Sequence, residues 1–227
     1  DRSGVGVVGA FNTGHSGMMG YYASMIADAG LVGQVMCHTS PRIVPWGGKE
    51  PVLGTNPIAA AFPSTEGQVL VDLSAAAITN GEILMALKDG KDIPEGRALG
   101  ADGKLTTDPE EARKGGVLPF GGHKGYALSM MIQLFSGPLL NAAPIPEPGK
   151  NYGIFMLAID PSIFHGTDAF QSEVQDVVKA VKNSNLAEGV TEILVPGERA
   201  FREREMRVQS GIAIDDELMD ALRRLEA

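Results

Sequence analysis

Gly4-Val5-Gly6-Val7-Val8-Gly9, followed further on by Asp28, is the stretch whose reading decides the fold. It fits the G-x-G-x-x-G pattern of doubly wound dinucleotide-binding sheets, and Asp28 stands roughly 20 residues on, where that pattern carries an acid. In the true fingerprint, however, the glycines make the turn between a strand and a helix. Here Val5, Val7 and Val8 give the segment itself strand character, and the first helical pattern starts well after Gly9. The stretch reads as a buried strand with glycines for close packing, which sets the doubly wound fold aside.

Outward from that strand (Val5 to Phe11), strands and helices alternate. Ser16 to Ala29 has a helical pattern closed by Gly30, and Leu31 to Cys37 is a second strand. Ile58 to Phe62 and Val69 to Asp72 read as strands flanking a polar turn, and Ala76 to Leu87 as a helix. Lys88 to Thr107 is polar and rich in glycine and aspartate, hence a loop. Asp108-Pro109-Glu110-Glu111 supplies a cap, an N1 proline and a capping acid for a short helix. Gly125 to Phe135 is a helix, Pro144, Pro146 and Pro148 mark a mobile loop, and Gly153 to Ile159 is a strand. A helix from Asp168 to Lys182, a short strand from Ile193 to Val195 and a terminal helix from Asp216 to Leu225 complete the chain. The expected class is a layered α/β (mixed α+β) protein.

Composition excludes several functions. At 227 residues, with 44% hydrophobic and 21% charged residues, the chain is that of an ordinary globular protein. A net charge of −9 offers no basic footprint for nucleic acid or anionic lipid. No apolar run approaches the roughly 18 residues of a membrane span. The lone Cys37 excludes an internal disulfide and reads as a buried, inert thiol. No signal peptide is evident, so the expected compartment is the cytoplasm. His15, His38, His123 and His165 are dispersed, no cysteine is paired, and no G-x-S-x-G elbow occurs. Zinc and hydrolase chemistry are therefore not expected.

Four segments carry chemical promise. Val44 to Pro57 contains the single tryptophan, with Pro45, Pro51 and Pro57 stiffening it and Gly47, Gly48 and Gly54 allowing close approach. It is either a rigid crossover or one wall of a site. His15 lies between a strand end and a helix start, where backbone N–H groups hold anions and an imidazole exchanges protons; the alternative is a turn cap. Lys124, set among Gly121, Gly122 and Gly125 before an apolar helix, resembles a nest with a point charge. A cation is unfavourable at a helix start, which favours a functional reading over a solvated lysine. Pro196-Gly197-Glu198-Arg199 is a tight turn where Arg199 either clamps an anion or joins a local ion pair.

Taken together, these residues resemble the malate/L-lactate dehydrogenase family, which includes ureidoglycolate and sulfolactate dehydrogenases, diketogulonate reductase and piperideine-2-carboxylate reductase. The resemblance covers almost the whole chain in one order. It runs through His15-Ser-Gly, Gly20-Tyr-Tyr, Gly30-Leu-Val-Gly33, Pro45-Trp-Gly-Gly, Gly54-Thr-Asn-Pro57, Asp72-Leu-Ser-Ala, Thr107-Asp-Pro109, Gly121-Gly-His-Lys-Gly-Tyr126 and Pro196-Gly-Glu198. It implies a homodimeric oxidoreductase using NAD or NADP on a sheet that is not a Rossmann fold. The reaction implied is hydride transfer between nicotinamide C4 and C2 of a small 2-hydroxy or 2-oxo acid.

By resemblance, His15 lies at the junction of cofactor and substrate and carries the proton, and Glu82 lies near a second catalytic acid. Ser16, Gly17, Met18 and Met19 line the cofactor, together with Thr39, Leu73, Ser74, Ala75, Lys124, Gly197, Glu198 and Arg199. Thr55 touches substrate. Residues 1–195 are the expected cofactor-binding domain, and 196–227 a C-terminal turn and helix packing on an N-terminal substrate and dimerisation region that this chain lacks. In relatives that region holds a Ser-His-Gly segment and a nearby arginine. The other reading is a truncated or non-catalytic nucleotide-binding paralogue.

Overall fold

The computed structural model describes residues 3–225. In chain order the elements are β1 (Val5–Thr13), α1 (Met19–Asp28), β2 (Val32–Cys37), β3 (Ile58–Ser64), β4 (Gly67–Leu73), α2 (Asn80–Asp89), β5 (Ala98–Leu99) and β6 (Leu105–Thr106). There follow α3 (Pro109–Lys114), β7 (Gly116–Val117), α4 (His123–Ser136), β8 (Tyr152–Ile159), α5 (Thr167–Lys182), α6 (Glu198–Ser210) and α7 (Asp216–Leu225). The main sheet has the order β1-β8-β2-β3-β4 and every neighbouring pair is antiparallel. A smaller sheet has the order β6-β5-β7.

Alternation along the strands sends side chains to two helical layers. On one face Val35, Cys37, Ala59, Ala61 and Ile154 pack against Met19, Ala23 and Ala27 of α1. On the other, Met36 and Phe155 pack against Ile132 of α4. Small side chains let α1 sit close to the sheet. A Cβ at Gly33 would lie 2.8 Å from the Ala23 carbonyl oxygen, so β2 requires glycine there. A third cluster, around Ile43, Leu53, Ile78, Ile83 and Val117, joins the 43–53 loop to the α2–α3 region.

The amide of Asn56 ties these layers together. It is fully buried, with φ of 43°, a conformation asparagine tolerates better than most residues. Its Nδ2 donates to Ser129 O at 2.9 Å, Ser129 Oγ at 3.0 Å and Gln133 Oε1 at 2.9 Å, while Oδ1 accepts from Thr39 N at 3.2 Å. Nearby His38, also fully buried, accepts from Gly153 N at Nδ1 (3.1 Å) and donates from Nε2 to Ala143 O (2.8 Å). These two side chains satisfy the polar backbone where β2, β3, β8 and α4 meet.

The structure corrects several expectations. Gly4 precedes β1 while Gly6 and Gly9 lie within it, so the glycine pattern is strand, as read; but β1 is a largely exposed edge strand, not a buried one. Close packing holds for Gly9, where a Cβ would press on Leu140, and not for Gly6, which faces open space. Val195 and its neighbours form no strand, and the turn at 196–199 opens helix α6. That helix has no buried residue and draws on Arg207–Glu203 and Arg202–Glu198 pairs, so it shows no apolar period. The 88–107 stretch includes the short strands β5 and β6. The 144–150 loop is tied down: Pro146 is fully buried, Pro144 O accepts from Gln133 Nε2 at 2.6 Å, and Gly149 N donates to the Tyr152 hydroxyl at 3.0 Å.

Replacing Asn56 by alanine strands these donors and acceptors in the interior. Asn56→Ala is expected to lower the unfolding free energy by about 3 kcal/mol, read as a lower urea midpoint with an unchanged slope.

Candidate functional site

Antiparallel pairing brings chain ends that are distant in sequence to one edge of the sheet. The pairs Thr13↔Tyr152, Cys37↔Ile154, Met36↔Ile58 and Ile58↔Leu73 place the ends of β1, β2 and β4 beside the starts of β3 and β8. The segment 14–19, Thr39, Thr55 and the 73–75 segment therefore share one end of the sheet.

Hydrogen bonds make this end continuous. Thr55 N donates to Thr39 Oγ1 at 3.1 Å. Thr55 O accepts from Ser74 Oγ and from Ala75 N, both at 2.9 Å. Ala75 O accepts from Phe120 N at 3.0 Å, which brings up the loop leading to Lys124. Gly54 allows the crossing, since a Cβ there would lie 2.4 Å from Thr39 O. Trp46 packs over Gly122, where a Cβ would stand 2.8 Å from its Cζ3, and its ring meets His123 at a centroid distance of 6.4 Å. The Val44–Pro57 loop thereby clasps the start of α4.

On the α1 side Ser16 is buried, and the buried Cys37 thiol donates to His38 O at 3.2 Å; burial pushes that thiol up to about 11, in keeping with an inert cysteine. His15 beside it is exposed. The expected anion at the start of α1 meets a competitor, because Gly20 N donates to Asp72 Oδ2 at 2.9 Å. Desolvation against α1 raises the Asp72 carboxyl, with the Gly20 bond pulling it back. Asp72 serves here as an acidic anchor for the helix start, in line with the dipole.

Glu82 also has structural work. Its Oε2 accepts from Thr79 N and Thr79 Oγ1, both at 2.8 Å, while Glu82 N donates to Thr79 Oγ1 at 3.2 Å, completing a capping box on α2. The backbone and hydroxyl bonds from Thr79 hold its carboxyl below the usual range, which suits an anion and not a proton donor. Gly197, Glu198 and Arg199 lie apart from the sheet end, alongside the middle of β4, where Leu70 N donates to Pro196 O at 3.1 Å. The Glu198 carboxylate is engaged by Lys182 at 2.6 Å and by Arg202, and the Lys182 bond keeps it ionised.

Sequence reasoning passed over three residues here. Arg42, Asn80 and Arg113 share a narrow crevice with Thr55, floored by Ile83 and Val117. Arg42 follows a proline in an irregular loop and Arg113 ends a short helix, so neither stands out by pattern. Among the described residues no group of three His, Cys, Asp or Glu side chains could hold a metal ion, and no helix is long and apolar enough to cross a membrane.

A five-stranded antiparallel sheet between two helical layers, with polar loops gathered at one end, defines an α/β protein outside the Rossmann class. The chain belongs to the malate/L-lactate dehydrogenase family, which it matches over residues 1–223. It is 41% identical over 229 residues to L-sulfolactate dehydrogenase of Methanothermobacter thermautotrophicus, covering 97% of this chain and 65% of that protein. To malate dehydrogenase of Pyrococcus horikoshii it is 35% identical, covering 97% and 65%. The sulfolactate dehydrogenase structure from Methanocaldococcus jannaschii superposes with a TM-score of 0.87 at 39% identity, covering 98% of this chain and 66% of that one. The chain thus spans about two thirds of the length of these relatives.

Because the folded Glu82 carboxyl titrates below its unfolded value, its stabilisation is present above the unfolded value of about 4.3 and is lost as pH falls through the lower folded value. Glu82→Gln is therefore expected to be less stable than the parent in urea melts at pH 7, with the difference closing towards pH 3.

Proposed function

We propose that this chain is the cofactor-binding and substrate-contacting part of an NAD- or NADP-dependent oxidoreductase interconverting a small 2-hydroxy acid and its 2-oxo acid. The observation that carries this reading is the convergence of His15, Thr39, Thr55, Ser74 and Ala75 on one end of the sheet, with the Lys124 loop joined to it through Ala75 O. The names of the relatives support the substrate class: sulfolactate, malate and ureidoglycolate dehydrogenases.

The donor set fits a nicotinamide dinucleotide. Gly17 and Gly121 adopt φ of 66° and 57°, and no atom comes within 4 Å of a Cβ built at Gly17, which leaves its backbone open to a ligand. Lys124 is exposed and has no ion-pair partner within 4.0 Å among the described residues, as a lysine awaiting a phosphate would be. Residues 16–19, Thr39, 73–75 and Lys124 would hold the cofactor, with the 197–199 turn extending the contact along β4. The Glu198 side chain is committed to its ion pairs, so contact there falls to the backbone and to Arg199. The bound nicotinamide supplies or accepts the hydride at C4.

The protein's own part is orientation and a proton. Thr55 presents its hydroxyl to the substrate, and the His15 imidazole N–H gives its proton to the carbonyl oxygen that becomes the hydroxyl. Glu82, held as an ionised cap, is left out of that transfer. Residues 1–195 form the cofactor-binding part, and 196–227 pack on the remaining third of the longer relatives' architecture. A cytoplasmic homodimer is proposed with this reading.

Fluorescence titration of the full-length protein should show NADH or NADPH binding, and lack of binding to both would reject the proposal. Lys124→Ala should weaken that binding about tenfold. With a panel of 2-oxo acids, His15→Ala should lower kcat by about 10² to 10⁴-fold with cofactor affinity retained; near-normal turnover would remove His15 from the proton step. Binding without reduction of any 2-oxo acid or cyclic imine would point to a non-catalytic paralogue.

A further inference from the structure

We infer that Asp72 is a positioning residue for hydride transfer. Its carboxylate locks the segment that carries His15 onto the 73–75 strand end, so that two walls of the site are assembled before a ligand arrives. This rests on the reading of His15, residues 16–19 and residues 73–75 as the site.

Residues 14–18 join β1 to α1 without regular structure and hang between two anchors. At one end Thr13 Oγ1 donates to Tyr152 O at 3.1 Å. Gly14 follows so close to the 149 loop that a Cβ would stand 2.8 Å from Gly149 O. At the other end Gly20 N donates to Asp72 Oδ2 at 2.9 Å. Asp72 directly precedes residues 73–75, of which Ser74 Oγ and Ala75 N both donate to Thr55 O. One carboxylate thereby couples the His15 segment to the strand end and, through it, to Thr55.

Three features go beyond what the stability of α1 requires. Gly20 stands in the first turn of α1 without a positive φ, where alanine is the better helix former. A Cβ there would lie 2.6 Å from Asp72 Oδ2 and 3.2 Å from Asp72 Cβ, so helix propensity is given up for the close approach of the carboxylate. Met18, at the N-cap, makes no side-chain cap bond. A serine or asparagine at that position would cap α1 locally, whereas a cap sent from β4 joins two segments that are 52 residues apart. Finally, no Lys, Arg or His among the described residues lies within 4.0 Å of the Asp72 carboxylate. A carboxylate on a surface that receives an anionic dinucleotide is unfavourable; here the helix N-terminus meets part of its charge.

The test compares the full-length protein with its Asp72→Ala, Asp72→Asn and Gly20→Ala variants. The readouts are NADH or NADPH binding by fluorescence, and kcat at saturating cofactor with the 2-oxo acid that the parent reduces fastest. Asp72→Ala releases the His15 segment and should weaken cofactor binding about tenfold. It should also lower kcat by about 10 to 100-fold. Asp72→Asn keeps an oxygen that accepts the Gly20 N–H, and should stay within about threefold of the parent on both readouts. Gly20→Ala should reproduce the losses of Asp72→Ala although it favours the helix, and combining the two should add little. Should Asp72→Ala fail to fold, Gly20→Ala carries the same test with the carboxylate retained. Parent-like kcat in Asp72→Ala or in Gly20→Ala, or an Asp72→Asn as impaired as Asp72→Ala, would overturn the inference and leave the dehydrogenase reading standing. A parent that binds neither NADH nor NADPH would reject both.

Discussion

The side-chain amide of Asn56 is the interaction on which the site depends. It sits at the crossing of β2, β3 and α4, donates to Ser129 and Gln133 on the helix, and accepts from Thr39 N–H. An aspartate would lose the donors and bury a charge; a leucine would leave the Thr39 N–H and the Gln133 carbonyl oxygen without partners. Its positive φ adds a backbone requirement that β-branched residues resist. Because Asn56 directly follows Thr55 and fixes Thr39, the hub that joins the layers also sets the two threonine hydroxyls of the site. Packing and function therefore share one residue.

Antiparallel topology does the rest of the assembly. In a parallel sheet the strand starts and strand ends fall on opposite edges. Here the ends of β1, β2 and β4 and the starts of β3 and β8 share an edge, so four loops can contribute to one surface, since the end of β2 and the start of β3 belong to one loop. The small residues on the α1 face of β3, Ala59 and Ala61, and Gly33 on β2 allow α1 close enough for Gly20 N–H to reach Asp72. A bulkier sheet would lift α1 and carry His15 away from Thr39.

Much of this was legible in the sequence. Alternating valines in the first strand contradicted the glycine fingerprint, and the strand–helix order from Val5 to Phe62 follows from periodicity and glycine stops. Helix α6 was not legible, because it seats only the half-buried Phe201 on the core and is otherwise lined by ion pairs four residues apart. The exposure of β1 was hidden for a different reason. An apolar run reads alike at the centre and at the edge of a sheet, and only pairing partners decide between them. At the site, the family resemblance supplied His15, Thr55 and Lys124, whereas Arg42, Asn80 and Arg113 come together only through packing of the 42–55 loop on α2 and α3. His38 and His15 differ in burial and not in local pattern, so their roles separate only in three dimensions.

Charge distribution gives the site its sign. The chain carries a net charge of −9, which by itself repels anionic substrates and cofactors. Yet Asp72, at the end of β4, and Glu82 are both occupied: Asp72 caps the start of α1 and Glu82 caps α2. Each is turned onto a helix N-terminus, where the partial positive charge of the backbone compensates it. Lys124 and Arg42 have no carboxylate within 4.0 Å among the described residues, and Arg113 stands in the last turn of α3, where the helix end favours a cation. Cations without a carboxylate partner therefore stand beside the sheet end of an acidic protein, and such a cation attracts an anion at short range. At an ionic strength of about 0.15 M, screening over roughly 8 Å hides the distant acidic surface and leaves the local cations in control. The helix caps thus do more than stabilise α1 and α2: they withdraw negative charge from the surface that has to receive negative ligands.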